Sequence, residues 1–268
     1  MRRFGTVVAI SILSIVTACA SSSGSSAEPA ASPEPDKKKS KETTTDPLRS
    51  LTYMRQGSVL MQQGRYESAL ESFQQADKIA PGNATNKNMI GLCYLNLGQP
   101  DRALTSFDEA LQIIPGFTDA RNNRGATYLS LGQFHLAEVD FVAVLGDSTY
   151  PHRRQVYYNL AITYLQRDQL GAAEENFRKS IMPPSPVFDG YLQLAQLAQR
   201  QGSPEQARVL LEEAKLEFPD RIEVVFELGK LLMIMGEEED ARPYLEQVVS
   251  DAPESSQAAT ARALLGQD

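Results

Sequence analysis

Apolar and small residues recur along this chain with two superimposed periods. From Ser50 onward, apolar positions fall three and four apart, the spacing of one face of an α-helix, and Gly or Pro interrupts these runs at regular intervals. The whole pattern returns about every 34 residues, in six units that begin at Ser50, Ala84, Thr118, Arg154, Phe188 and Ile222. Each unit has a small residue in a first helix, a turn Gly, a small residue in a second helix, a large apolar residue four later, and a closing Pro. Gly57, Gly64, Ala69, Phe73 and Pro81 carry this in the first unit, and Gly91, Gly98, Ala103, Phe107 and Pro115 in the second. Gly125, Gly132, Ala137 and Phe141 carry it in the third, Ala161, Ala173 and Phe177 in the fourth, Ala195, Gly202, Ala207, Leu211 and Pro219 in the fifth, and Gly229, Gly236, Ala241, Leu245 and Pro253 in the sixth. The pattern predicts two antiparallel helices per unit. Gly or Ala lets their backbones approach, the aromatic or Leu fills the space opposite, and the turn Gly supplies a left-handed residue between them. No such unit buries its apolar face alone, so neighbours must stack. Ser255 to Leu265 predicts a last helix that covers the end of unit six. Three departures stand out: Pro243 inside the second helix of unit six, expected to disturb its first turn; Pro183-Pro184-Ser185-Pro186 after unit four, expected to be an extended, stiff connector; and two extra residues between units three and four.

From Ser50 to the end, the period and signature resemble those of tetratricopeptide repeats. The resemblance implies an all-α fold: a right-handed superhelical solenoid of about six repeats over residues 50–268, with a capping helix over 255–265.

The first 49 residues read differently. Arg2 and Arg3 precede an apolar run from Val7 to Val16, which has the length of a signal-peptide core and is too short to span a bilayer. Val16-Thr17-Ala18-Cys19 resembles the bacterial lipobox. That resemblance makes residues 1–18 a lipoprotein signal peptide and Cys19 the acylated first residue of the mature chain; the alternative is an ordinary secretory signal ending near a Cys. Residues 19–49 are rich in Ser, Ala, Pro, Glu, Lys and Thr without apolar periodicity, and are expected to be a disordered tether. Lys37, Lys38, Lys39 and Lys41 keep this stretch soluble, since its five basic and five acidic residues cancel. Ala20, not Asp, follows Cys19, which by resemblance to sorting patterns in two-membrane bacteria favours anchoring on the periplasmic side of the outer membrane.

Composition narrows the function classes. The formal charge of −8 argues against a nucleic-acid binder. The two Cys, Cys19 and Cys93, give no disulfide framework; Cys93 falls in the core register of unit two and is expected to be an inert buried thiol. Only two His, His135 and His152, are present, on different units. Neither a metal-ligand cluster, a phosphate-cradling loop nor a nucleophile elbow is evident. The chain is therefore expected to be no enzyme and to take no cofactor beyond a lipid on Cys19, no metal and no small-molecule substrate. A monomer suffices for a capped, tethered solenoid.

A stack of helix pairs offers an inner face lined by first helices. On a 3.6-residue period, the second, fifth, ninth, twelfth and thirteenth positions of each unit face it. The candidate partner-binding groove is Met54, Met61, Asn88, Leu92, Leu95, Asn122, Leu129, Tyr158, Ile162 and Leu165. Apolar anchors with interspersed amides suit an extended or helical segment of another protein. Residues 50–187 hold 12 basic and 13 acidic residues, whereas 188–268 hold 7 and 16, so the near-neutral early units are the better binding half. Charging the floor with Leu92→Glu and Leu129→Glu is expected to abolish binding without unfolding.

The segment from Asp147 to Ala161 resembles one in the type IV pilus pilotin family (Tgl, PilF and PilW). Tyr150, Pro151, Arg153 or Arg154, Asn159 and Leu160 match, while Ala161 stands where Gly is common. The family resemblance implies an outer-membrane lipoprotein that helps the pilus secretin multimerise, with a secretin subunit as partner of the early repeats. Local structure offers another account: Tyr150-Pro151 as a rigid turn, with Arg153 or Arg154 capping a preceding helix end. A lipid-tethered scaffold or adaptor for envelope enzymes or outer-membrane protein insertion is the alternative function.

Overall fold

The computed structural model describes residues 46–267; the leader, Cys19 and the tether up to residue 45 lie outside the described residues. Among the described residues the chain is all-α, without strands. Its thirteen helices are α1 (Pro47–Gln62), α2 (Tyr66–Ile79), α3 (Ala84–Asn96), α4 (Pro100–Ile113), α5 (Thr118–Ser130), α6 (Phe134–Leu145), α7 (Arg153–Gln166), α8 (Leu170–Ser180), α9 (Phe188–Arg200), α10 (Pro204–Glu217), α11 (Ile222–Met235), α12 (Glu238–Asp251) and α13 (Ser256–Leu265). The helices fall into two compact units that divide after Leu131. The first holds α1 to α5, the second α6 to α13. Within each, a helix packs against neighbours one or two places away in the chain. Five of the six expected unit starts coincide with a helix start to within one residue. The first helix begins at Pro47, three residues before Ser50, because the Asp46 carboxylate accepts the Arg49 N–H (3.0 Å) and Pro47 is pre-set for a first turn.

The turn between paired helices is one device repeated. After α1, Gly64 takes φ 71°; its N–H donates to the Met61 carbonyl, and that of Arg65 donates to Leu60. This is the Schellman arrangement, which satisfies the last carbonyls of a helix. Gly98, Gly202 and Gly236 repeat it. In unit four, which has no turn Gly, Asp168 holds the position at φ 57°, with Asp168 N–H donating to Leu165 and Gln169 N–H to Tyr164. A short polar side chain tolerates this region at a cost of about 1–2 kcal/mol.

The small and large residues meet as the spacing implies. A Cβ added at Gly91 would lie 2.4 Å from the Phe107 ring, one at Gly57 2.8 Å from Phe73, and one at Gly229 2.8 Å from Leu245. Phe73, Phe107, Phe177, Leu211 and Leu245 are fully buried. At the C-terminus, the Ser255 hydroxyl caps α13 by accepting the Ala258 N–H (3.0 Å), and α13 packs on both α11 and α12.

Two departures resolve differently from expectation. The connector after α8 folds back instead of extending: the Val187 N–H donates to the Ser180 carbonyl (3.0 Å), and Arg154 clamps the bend through the Lys179 and Pro183 carbonyls (3.1 and 2.8 Å). Pro183, Pro184 and Pro186 supply no N–H of their own, so the donors come from Val187 and Arg154. Pro243 leaves α12 unbroken from Glu238 to Asp251. Both Pro243 and Glu239, whose carbonyl loses its helical donor, are exposed.

Candidate functional site

In the first unit, the candidate groove residues lie on the first helices α1, α3 and α5. Met54, Met61, Leu92, Leu95 and Asn122 are half-buried, with side-chain surface open to a partner. Met54 and Met61 rest on the cluster of Ala69, Phe73, Ile90 and Cys93, so an apolar partner placed there would extend an existing core. Asn96, one turn beyond Leu92, donates its amide to the Leu92 carbonyl (2.9 Å). Asn122 Oδ1, like Asp77 Oδ1 and Asn86 Oδ1, is shut off from water and accepts no hydrogen bond. Leaving such a buried acceptor unpaired costs about 1–3 kcal/mol.

Two expected members of this face belong elsewhere. Asn88 is only 3% exposed, and its Oδ1 accepts from Asn123 Nδ2 (2.9 Å), bracing α3 against α5. Leu129 is 8% exposed. Neither reaches a groove. In the second unit the same correction applies to Ile162, which is buried, while Tyr158 and Leu165 remain half-exposed. Tyr158 lies 5.7 Å from Phe177, ring to ring. Burial, with a contribution from the Asp189 carboxylate, pushes its hydroxyl up to about 12, so it stays protonated and able to donate. The misplacement has a physical cause. Helical spacing identifies rows of residues, and three of the ten positions turn into the packing of the array.

Lys87 was not singled out by the sequence, whereas the capping role expected of Arg153 or Arg154 is met. Lys87 reaches Asp77 and Glu109, 2.8 Å each. Burial works against its charge, but the two carboxylates outweigh that and hold its pKa above the ordinary value. Arg153 Nη1 donates to both the Leu145 and Asp147 carbonyls (2.7 Å each), and Nη2 to the Tyr157 hydroxyl (3.3 Å). Arg153 therefore caps α6 from the next helix. Thr149 folds onto the Asp147 carboxylate through its N–H and hydroxyl, and Tyr150 is buried edge-on to His152. A bound Arg spaced two residues after Tyr-Pro was the available signal.

Cys93 is fully buried, and burial alone pushes its thiol up to about 12. A thiol whose pKa is raised on folding contributes stability that is complete below the unfolded value of 9.0 and is lost as pH rises toward 12. Stability is thus expected to fall between those limits by up to about 1.4 kcal/mol per pH unit, more steeply than in Cys93→Ala, where only groups such as Tyr158, Tyr164, Tyr191 and Lys87, also raised on folding, still contribute. Urea unfolding across that pH range checks it, and rapid alkylation of Cys93 in the folded chain would refute the burial argument.

Among the described residues, no three His, Cys, Asp or Glu gather in a way that would hold a metal ion, and no helix is long and apolar enough to cross a membrane. Paired helices with a glycine-hinged turn and a small-against-aromatic crossing, stacked repeatedly, define a helical-repeat protein. Family models of the tetratricopeptide repeat match residues 60–111, 155–182 and 191–265, more than half of the sequence, and the chain belongs to the tetratricopeptide-repeat proteins. Such domains mediate protein–protein interaction. Among solved structures, the fold is similar to PilW, a widely conserved type IV pilus biogenesis factor, with TM-score 0.69 and 22% identity over 79% of this chain and 97% of PilW. It is similar also to PilF of Pseudomonas aeruginosa, with TM-score 0.68 and 20% identity over 81% of this chain and 97% of PilF. MamA from Desulfovibrio magneticus RS-1 follows, with TM-score 0.58 and 22% identity over 66% of this chain and 98% of the MamA chain. No curated protein matches the chain by sequence.

Proposed function

We propose that this chain is a lipid-anchored assembly factor of the outer membrane, facing the periplasm, that binds secretin subunits and promotes their multimerisation in type IV pilus biogenesis. The observation that carries the reading is the superposition of nearly the whole of PilW and PilF on this repeat array. The lipobox-like Val16-Thr17-Ala18-Cys19 supports the anchor. Partner binding is assigned to the first unit, where Met61, Leu92 and Leu95 present apolar surface. A segment with apolar side chains fits that surface.

The adaptor reading also has an observation in its favour: Arg153 and Arg154 are occupied in closing helix ends, so the segment resembling the pilotins has a purely architectural use. One experiment separates the two. Deleting the gene is expected to leave monomeric secretin and a bald cell surface. Normal multimers with a leaky envelope would instead favour the adaptor. The targeted version is Leu92→Glu with Leu95→Glu, read by photocrosslinking and secretin assembly. Leu129 is unsuitable, because a Glu at that buried position would unfold the unit it is meant to probe.

A further inference from the structure

We infer that the outward face of α1 is a docking surface for an anionic lipid bilayer. The inference rests on the membrane anchor proposed above and adds how the folded body would lie on that membrane.

α1 opens the array. One side is committed to packing: Ser50 and Gly57 are buried, and the Ser50 hydroxyl donates to the Ala76 carbonyl on α2. The opposite side has no described helix before it. Leu48, Thr52, Arg55 and Val59 follow one another at helical spacing along that side, with Leu51 and Arg49 flanking them. Leu48 is 75% exposed, and Leu51 and Val59 are each about half exposed. The charged residues of α1 are Arg49 and Arg55, and the helix carries no Asp or Glu. Arg49 and Tyr53 lie together, guanidinium 6.0 Å from the ring centre, beside an open depression of about 490 Å³ that Leu48, Thr52, Gln56 and the N-cap Asp46 also line. Apolar residues flanked by cations and a Tyr are the composition of a helix that rests in a bilayer interface.

Three observations choose the occupant. The chain's own preceding segment cannot cover the face, because residues 20–45 contain no Leu, Ile, Val, Met or aromatic residue. A second copy docked face to face by a twofold axis would bring Arg49 and Arg55 against their own equivalents. An anionic lipid surface attracts both, while the surplus of nine acidic charges in residues 188–268 is repelled by it. Asp46 is also only 27 residues from Cys19, so α1 lies within roughly 95 Å of the proposed anchor even at full extension. Tethering raises the effective concentration of bilayer, so a weakly adhesive face suffices.

The test bypasses the acylation chemistry. Residues 1–19 are replaced by a hexahistidine segment, and the rest of the chain is held on vesicles by a nickel-chelating lipid. A bimane label is placed on Thr52→Cys, or on Glu239→Cys as a control on the acidic half; the buried Cys93 takes no label. Vesicles are phosphatidylcholine, with or without phosphatidylglycerol, and carry brominated acyl chains as quencher. The expected result is quenching at position 52 only on the anionic vesicles, with position 239 unaffected. Arg49→Gln with Arg55→Gln is expected to lower the quenched-to-free ratio about tenfold or more, and Leu48→Glu with Leu51→Glu to abolish it while circular dichroism stays unchanged. Equal quenching at both positions, no quenching at 52, or a dimer by sedimentation with α1 unquenched would overturn the proposal. Absence of lipid on Cys19 in the native protein would defeat the anchor without touching this result. An acylated chain with α1 unquenched would defeat the docking alone.

Discussion

Truncating Phe107 to Ala is expected to destabilise the first unit by about 3–5 kcal/mol. The ring is completely buried and fills the space that Gly91 leaves open on the facing helix. The reciprocal change is also costly. A methyl at Gly91 would fall 2.4 Å from the ring, and crowding of that kind costs about 1–3 kcal/mol. The two costs are not independent. The fifth unit has Ala195 and Leu211 at the same positions, an arrangement that adds one carbon on one helix and removes three from the other. Gly91→Ala in a Phe107→Leu background should therefore cost less than in the wild type, by a coupling of about 1 kcal/mol or more. Urea unfolding of the four chains measures it, and simple additivity within about 0.5 kcal/mol would show that the crossing is not set by this contact.

Arg153→Ala is expected to cost about 2–3 kcal/mol. One nitrogen of this guanidinium serves the Leu145 and Asp147 carbonyls together, and hydrogen bonds from a charged donor are each worth about 1.5–3 kcal/mol, reduced here by partial exposure. Arg153→Lys should recover part of the loss, since an ammonium can reach the carbonyls but neither bonds Tyr157 in the same geometry nor lies over its ring at 5.8 Å. Thermal melting of the two variants checks the order. A change within about 0.5 kcal/mol for Ala would mean that the cap contributes nothing, and the likeness of this segment to the pilotins would then need a functional explanation. The same comparison bears on any assembly defect: if the Ala variant loses activity in proportion to stability, its role is architectural.

The repeat was legible because its determinants are local. Gly91 and Phe107, or Gly229 and Leu245, are sixteen residues apart in every case, and the period of the turn residues sets where each hairpin bends. Asp168 escaped that reading, since a left-handed position filled by Asp has no composition signal to distinguish it from a solvated charge. The connector after α8 was misjudged for a related reason. Three prolines suggest extension when read by themselves, but Arg154, twenty-nine residues away in sequence, folds them back. The candidate face was legible in part. Met61, Leu92, Leu95 and Asn122 keep some exposed surface, whereas Asn88, Leu129 and Ile162 are buried. Periodicity gives the angle of a side chain about its own axis, and only the packing of the next helix decides whether that direction meets solvent or protein.

Within each unit the main packing of a helix, among the described residues, is against partners one or two places away in sequence. Loop-closure costs are then small, and assembly is rapid. A nascent hairpin such as α1–α2 needs only the next helices to emerge before its apolar face is covered, without waiting for the remaining chain. By the same logic, shortening the array from the C-terminus by whole hairpins removes stability in steps and leaves the earlier turns in register.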